Sequence, residues 1–142
     1  MADFCACCAV KYLQIVPIEN DLNREPEMDD SEIDFNFLVY NDLCEGCGWV
    51  TVDQKGFPTN FQNYNIRSGQ DVIHIGKDKP YKIIALANST TLNYPHMVVY
   101  EDDMGAVYTR WLPVFIRKFK PKDGNWYFKD ELELNPELFI SP

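Results

Sequence analysis

"DVIHIGKDKPYKIIALANSTTLNYPHMVVYEDDMGAVYTRWLPVFIRKF", residues 71–119, decides the fold. Its apolar residues come in short β-branched and aromatic blocks: DVIHI (71–75), YKIIALA (81–87), HMVVYE (96–101), AVYTRWL (106–112) and FIRKF (115–119). Blocks this short, bounded by Gly, Pro, Asn and Asp, predict strands. YKIIALA is long enough for a helical turn, but Pro80 before it and NSTT after it favour a buried strand. EDDMGA (101–106) joins two blocks as a hairpin, with Gly105 near the positive-φ position of such a turn. Further out, VKYLQIV (10–16), FNFLVY (35–40), WVTVD (49–53) and NWYFK (125–129) read the same way. The expectation is a mostly β protein, a small barrel or sheet.

Within this region His74, Gly76-Lys77, Tyr81, Ile83-Ile84, Leu86-Ala87, Thr90, Val98-Val99-Tyr100, Gly105, Tyr108 and Pro113 form a recognisable series. Over about residues 72–119 it resembles domain-of-unknown-function family 1653, a small bacterial and phage family. Ser89 stands where that family usually has His, and Leu112-Pro113 replaces its Arg-Pro. The resemblance implies an SH3-like β-barrel, here over 66–122, and a bacterial or phage origin; it brings no established activity.

The cysteines carry the sharpest chemistry. Cys5-x-x-Cys8 and Cys44-x-x-Cys47 are two CxxC pairs, each able to present two thiolates from one turn, and two facing pairs complete a tetrahedron around zinc. Gly46 and Gly48 suit a knuckle whose amides point at sulfur. With strand-like segments after both pairs, residues 1–55 read as a zinc-ribbon-like module. Thirty-five residues separate Cys8 from Cys44, more than the usual spacing, and an acidic insertion at 17–34 accounts for the excess. Cys7 can replace Cys8 in a tighter C-x-C arrangement, and spacing does not choose between them. Buried free thiols, a redox pair and lipidation are the competing readings; the redox one is disfavoured because no helix is expected after either pair. Four thiolates leave no position for water, so such a metal holds structure.

The chain's net charge of −9 is unevenly spread. Residues 1–65 hold 3 basic and 12 acidic groups, residues 66–122 hold 9 and 5, and the tail 123–142 holds 1 and 5. Bulk nucleic acid is disfavoured, because phosphate neutralisation supplies most non-specific affinity, but the basic middle can meet a small anion. The expected location is the cytoplasm, or a host's cytoplasm if phage-encoded, since neither an apolar span nor a signal-peptide pattern is read.

No nucleotide-binding glycine loop, H-E-x-x-H or nucleophile elbow occurs, and His74 and His96 are the only histidines. The expected function is therefore non-enzymatic. His74, Lys77, Tyr81, Thr90, Tyr100 and Arg110 are the candidate residues for a small anionic, nucleotide-like ligand on the barrel face, with Lys79, Thr91 and Tyr108 beside them. The plainer reading makes the tyrosines core-edge aromatics, Arg110 and RKFKPK (117–122) a solvated strand face, and His74 an ordinary strand residue. The alternative function is an acidic interaction or inhibitor protein. In it, residues 17–34 and the tail engage a basic or nucleic-acid-binding partner.

Overall fold

The computed structural model describes residues 3–24, 29 and 37–127. Among the described residues, seven strands form two antiparallel sheets. β1 (Tyr40–Cys44) and β2 (Gly48–Val52) make a hairpin. β3 (Asp71–His74), β4 (Lys79–Ala87), β5 (Met97–Asp102), β6 (Val107–Trp111) and β7 (Phe119–Pro121) make a five-stranded sheet in the order β6-β5-β4-β3-β7. Each neighbouring pair in it is antiparallel. The first four strands follow as a meander, as the block spacing predicts. β7 then returns to the far side of β3, pairing His74 with Phe119 and Val72 with Pro121. β6 and β7 do not pair, so the sheet is open among the described residues.

Strand β5 alternates half-buried and buried along its length, the signature of one face on a core. Its turn to β6 is closed by Asp102, whose Oδ1 accepts the Met104 and Ala106 N–H groups at 2.9 Å each. Gly105 sits there at φ 84°, as expected from EDDMGA.

Two strand expectations give way to helix. The first four residues of FIRKF belong to α2 (Leu112–Lys118), which links β6 to β7, and Phe119 opens β7. Pro113 presets the first turn, and residues Leu112–Ile116 are all buried. A short segment buried on every side shows no apolar period, so strand and helix look alike in sequence. VKYLQIV likewise continues α1 (Ala6–Cys8) as a wider π-helical turn, Ala9–Leu13, which stops at Gln14 with φ 53°. Among the other expected strands, only Tyr40 of FNFLVY enters β1, with 35–36 outside the described residues. Asn125–Tyr127 of NWYFK lie outside any strand, although Trp126 is buried and donates Nε1–H to the Phe119 carbonyl at 2.7 Å. Residues 128–142, including most of the acidic tail, lie outside the described residues.

The two sheets share one core. Cys5, Val10, Cys44, Val52 and Phe57 from the front half pack in the same cluster as Val72, Ile83, Tyr100, Phe115 and Trp126. A buried ion pair crosses the same boundary. Asp53, fully buried after β2, meets Arg117 of α2 at 2.8 Å, and the guanidinium lies 4.8 Å from the Phe57 ring centre. Asp53 Oδ1 also accepts the Lys55 and Phe57 N–H groups at 3.0 Å, so one carboxylate both shapes the turn and holds the helix.

The start of the acidic stretch is packed. Pro17–Glu19 form a single 3₁₀ turn, and buried Asn20 donates to the Pro17 and Lys55 carbonyls at 2.9 and 2.8 Å. A side chain at Gly56, which has φ 80°, would overlap Asn20 Oδ1. Arg24 then forms a two-pronged pair with Asp42, at 2.5 and 2.8 Å. Residues 25–28 and 30–34 of the predicted insertion lie outside the described residues.

Candidate functional site

The two CxxC pairs come together by different means. Cys44 ends β1 and Cys47 closes the three-residue turn to β2, where Gly48 takes φ 81°. This is the expected knuckle. Cys5 precedes α1 in an extended conformation and Cys8 is its last residue, so a helical turn brings their sulfurs to one side. The zinc-ribbon expectation of two knuckles on hairpins is corrected here: one is a hairpin, the other a helical turn, and a helix does follow the first pair.

The sulfurs of Cys5, Cys8, Cys44 and Cys47 all lie within 4.8 Å of one another. Cys5 and Cys47 Sγ are 3.8 Å apart, and Cys8 and Cys47 Sγ 3.3 Å. Tetrahedral zinc with Zn–S near 2.3 Å requires S···S separations of about 3.8 Å. The Cys5 and Cys47 N–H groups both point at Cys44 Sγ, at 3.4 Å each, as amides around a bound thiolate do. Cys7 is excluded from the set. Its thiol donates instead to the Asn63 carbonyl at 3.6 Å, and burial pushes its pKa up.

Four thiols this close cannot all ionise beside one another unaided. Hydrogen bonding from neighbouring sulfurs, Cys47 above all, draws the Cys5 thiol far down. The reciprocal bond pushes Cys47 up to about 12, and Cys8 is raised chiefly by its bond to Cys47. A divalent cation replaces the thiol protons and lets all four carry charge, so the donor set fits a metal ion.

Gly46 is part of this arrangement. A Cβ there would lie 2.6 Å from Cys8 Sγ and 2.7 Å from Tyr12 Cε2. Gly46→Ala is therefore expected to displace Cys8 and weaken metal retention by about 10-fold or more, the size of loss that follows when a group supporting a metal ligand is disturbed. Competition with a chromophoric chelator measures it; unchanged retention would mean that Cys8 can shift without leaving the set.

The candidate ligand residues are only partly gathered. On one face of the five-stranded sheet, register places Tyr81 opposite Asp102, Ile83 and Tyr108 on either side of Tyr100, and Arg110 opposite Val98. His74 enters that face from β3, opposite Phe119. The rings interlock. Tyr81, Tyr108, Phe115 and Phe119 all have centroids 5.0–5.6 Å from a ring neighbour in this group, and Tyr100 stacks on Tyr108 at 5.6 Å. Arg110 Nε–H donates to the Tyr100 hydroxyl at 3.3 Å. Lys77 belongs to the β3–β4 turn and its N–H donates to His74 Nδ1 at 3.1 Å. Burial, and then the charges of Lys77, Lys118 and Arg110, hold the His74 pKa below the ordinary imidazole value. Lys118 lies alongside, its carbonyl accepting the Ile75 N–H at 2.9 Å.

Thr90 stands apart. It is exposed in the β4–β5 connection, at the opposite end of β4 from Tyr81, about 20 Å away at strand rise. The meander puts the β3–β4 and β5–β6 turns at one end and Thr90 at the other. Tyr100, expected as an accessible platform, is buried, so its ring face is not open to a ligand. Lys118 joins the cationic group unforeseen. Its sequence context suggests a strand exit, but α2 brings it back over the sheet, and only the Pro113 start signal points that way. His96 is occupied elsewhere. Its Nδ1 accepts the Phe61 N–H at 3.1 Å, which leaves Nε2–H to donate to the Thr91 carbonyl at 2.9 Å. Both nitrogens are committed to backbone.

No helix among the described residues is long and apolar enough to cross a membrane. Comparison with models of protein families, with curated proteins and with solved structures finds no match for this chain.

Proposed function

We propose that this protein is a non-enzymatic binding module in which four cysteines hold a structural zinc ion and the aromatic–cationic sheet face takes a small anionic, nucleotide-like ligand. Zinc is the reading that an all-thiolate, four-donor set favours, and its closed shell leaves no place for a reacting water. The strand order supports an SH3-like barrel: β3 is shared by β4 and the returning β7, and a helix precedes that last strand.

The observation that carries the ligand reading is that three cationic residues stand on or beside this face: Lys77, whose N–H bonds His74 Nδ1, Lys118, whose carbonyl accepts the Ile75 N–H, and Arg110, bonded to the Tyr100 hydroxyl. The same face carries half-exposed Tyr108 and partly buried Tyr81. Cations beside aromatic rings match an anionic group attached to a planar one. The acidic residue on this face, Asp102, is engaged within the β5–β6 hairpin. Its Oδ2 accepts the Tyr108 hydroxyl at 3.1 Å and faces Lys79 Nζ at 3.7 Å. Desolvation at Asp102 is outweighed by the Ala106 and Met104 N–H groups and by Tyr108, so its pKa lies below the usual carboxylate value.

Thermal unfolding with nucleoside mono- and diphosphates, and with inorganic phosphate as the minimal anion, tests the proposal. A ligand at 100 times its Kd stabilises by about 2.7 kcal/mol, or roughly 5–10 °C for a domain of this size. Arg110→Ala or Lys77→Ala is expected to remove the shift while leaving the unliganded Tm nearly unchanged. A shift that survives both substitutions would place the anion elsewhere; no shift with any of these probes would remove the reading.

A further inference from the structure

On the opposite face from Arg110, the sheet ends in a second recess. Trp111 alternates away from Arg110 along β6 and pairs with Met97, with Phe37 against it edge-on at 5.4 Å. The cavity there has a volume of about 250 Å³ and runs from Trp111 past His96 to Thr51, with Leu92 and Tyr94 at its rim. No charged residue lines it. It is smaller than the roughly 300–1,000 Å³ that accommodates a small-molecule ligand. A single apolar side chain is the better match in size and polarity.

The cavity does not stand alone. Thr51 is also on the solvent face of the β1–β2 hairpin, where its hydroxyl bonds Asn41 at 2.9 Å. The next pair along that face is Leu43 opposite Trp49. Exposure along this strip is high: 50% for Leu43, 76% for Trp49, 76% for Leu92 and 66% for Tyr94. Scattered exposed apolar residues are ordinary, but exposed apolar residues at the rim of an uncharged recess and along the hairpin that lines it mark an interaction surface. Charge specifies the partner. The far end of the strip is the hairpin turn, where exposed Glu45 donates its N–H to the carbonyl of exposed Asp3 at 2.8 Å. The whole front segment, residues 1–65, has 12 acidic groups against 3 basic ones.

We infer that this strip docks a protein segment that presents one aromatic or aliphatic anchor to the Trp111 recess and carries Lys or Arg toward the Asp3–Glu45 end. The site is independent of the anionic-ligand face, from which the five-stranded sheet separates it. A second copy of this chain is the less suitable occupant, since it would bring acidic groups against acidic groups.

Selection from a random displayed peptide library on the immobilised full chain tests the inference, followed by fluorescence polarisation with an enriched peptide. Enriched sequences are expected to share one large apolar residue flanked by basic ones. Tyr94→Ser or Trp49→Ser, both at exposed positions, should weaken that peptide by about 10-fold or more. Arg110→Ala should leave it unchanged, and raising salt from roughly 50 to 500 mM should weaken it several-fold. Circular dichroism confirms that each variant is folded. Four results would each overturn the inference: no consensus, a consensus without basic residues, affinity indifferent to both substitutions, or a concentration-dependent dimer in sedimentation that Trp49→Ser dissociates. The last would assign the strip to a second copy.

Discussion

Cys44→Ser or Cys47→Ser is expected to take the chain from one bound zinc to none and to unfold its front third. Structural zinc contributes an apparent 10–16 kcal/mol in small zinc-dependent folds (about pH 7), as much as or more than the roughly 5–15 kcal/mol that holds a typical domain folded. Losing one of four donors also leaves three thiols competing for protons within 4.8 Å. Because Cys5, Val10 and Cys44 belong to the same core as Tyr100 and Trp126, the damage should spread beyond residues 1–55, and the Tm of the whole protein should fall. Cys7→Ser is the control. Its sulfur faces Asn63, so the metal should stay. Elemental analysis with hydrogen exchange over residues 3–24 and 40–57 checks both parts. A wild-type chain that purifies without metal, and with those amides protected, would remove the zinc reading.

Arg117→Met should cost about 3–5 kcal/mol, the loss typical of a buried charge stripped of its partner. The side chains of Arg117 and Asp53 are 7% and 0% exposed, so water cannot replace the missing guanidinium. At this chain length that is a Tm drop of roughly 10–15 °C. The double variant Arg117→Met/Asp53→Asn should recover most of it. Asparagine keeps an Oδ1 to accept the Lys55 and Phe57 N–H groups, and methionine can still cover the Phe57 ring. Urea midpoints at constant m-value give the comparison. If single and double variants lose equally, packing of the arginine stem, and not the orphaned carboxylate, is what matters.

Much of the β architecture is legible in the chain because one-sided strands alternate. MVVYED reads as a strand and is one, and EDDMGA places Gly105 where the turn needs it. The cysteine set is legible for a different reason: CxxC spacing is a statement about local geometry that survives whichever element carries it. The carrying elements are not legible. Residues 5–13 have no apolar stripe, since Cys5–Val10 are buried together, and a segment covered on all sides has no period to read. The same holds for LPVFIRK. With that helix hidden, Lys118 has no visible reason to stand beside His74, and the Asp53–Arg117 contact, 64 residues apart, has no local trace. The choice between Cys7 and Cys8 needs the handedness of a helical turn, which spacing alone does not supply. Thr90 joins the ligand face only through a motif, and a motif ignores which end of the meander a turn occupies.

The Arg24–Asp42 clasp has an evolutionary corollary. With Asn20 fixed against Lys55 and Arg24 locked onto β1, the ends of the intervening segment are held by contacts that do not involve it. For a flexible tether, doubling the length between fixed ends adds only about 0.6 kcal/mol. A change of chain length between Arg24 and Phe37 therefore need not disturb the cysteine clamp, provided that Phe37 keeps its place against Trp111.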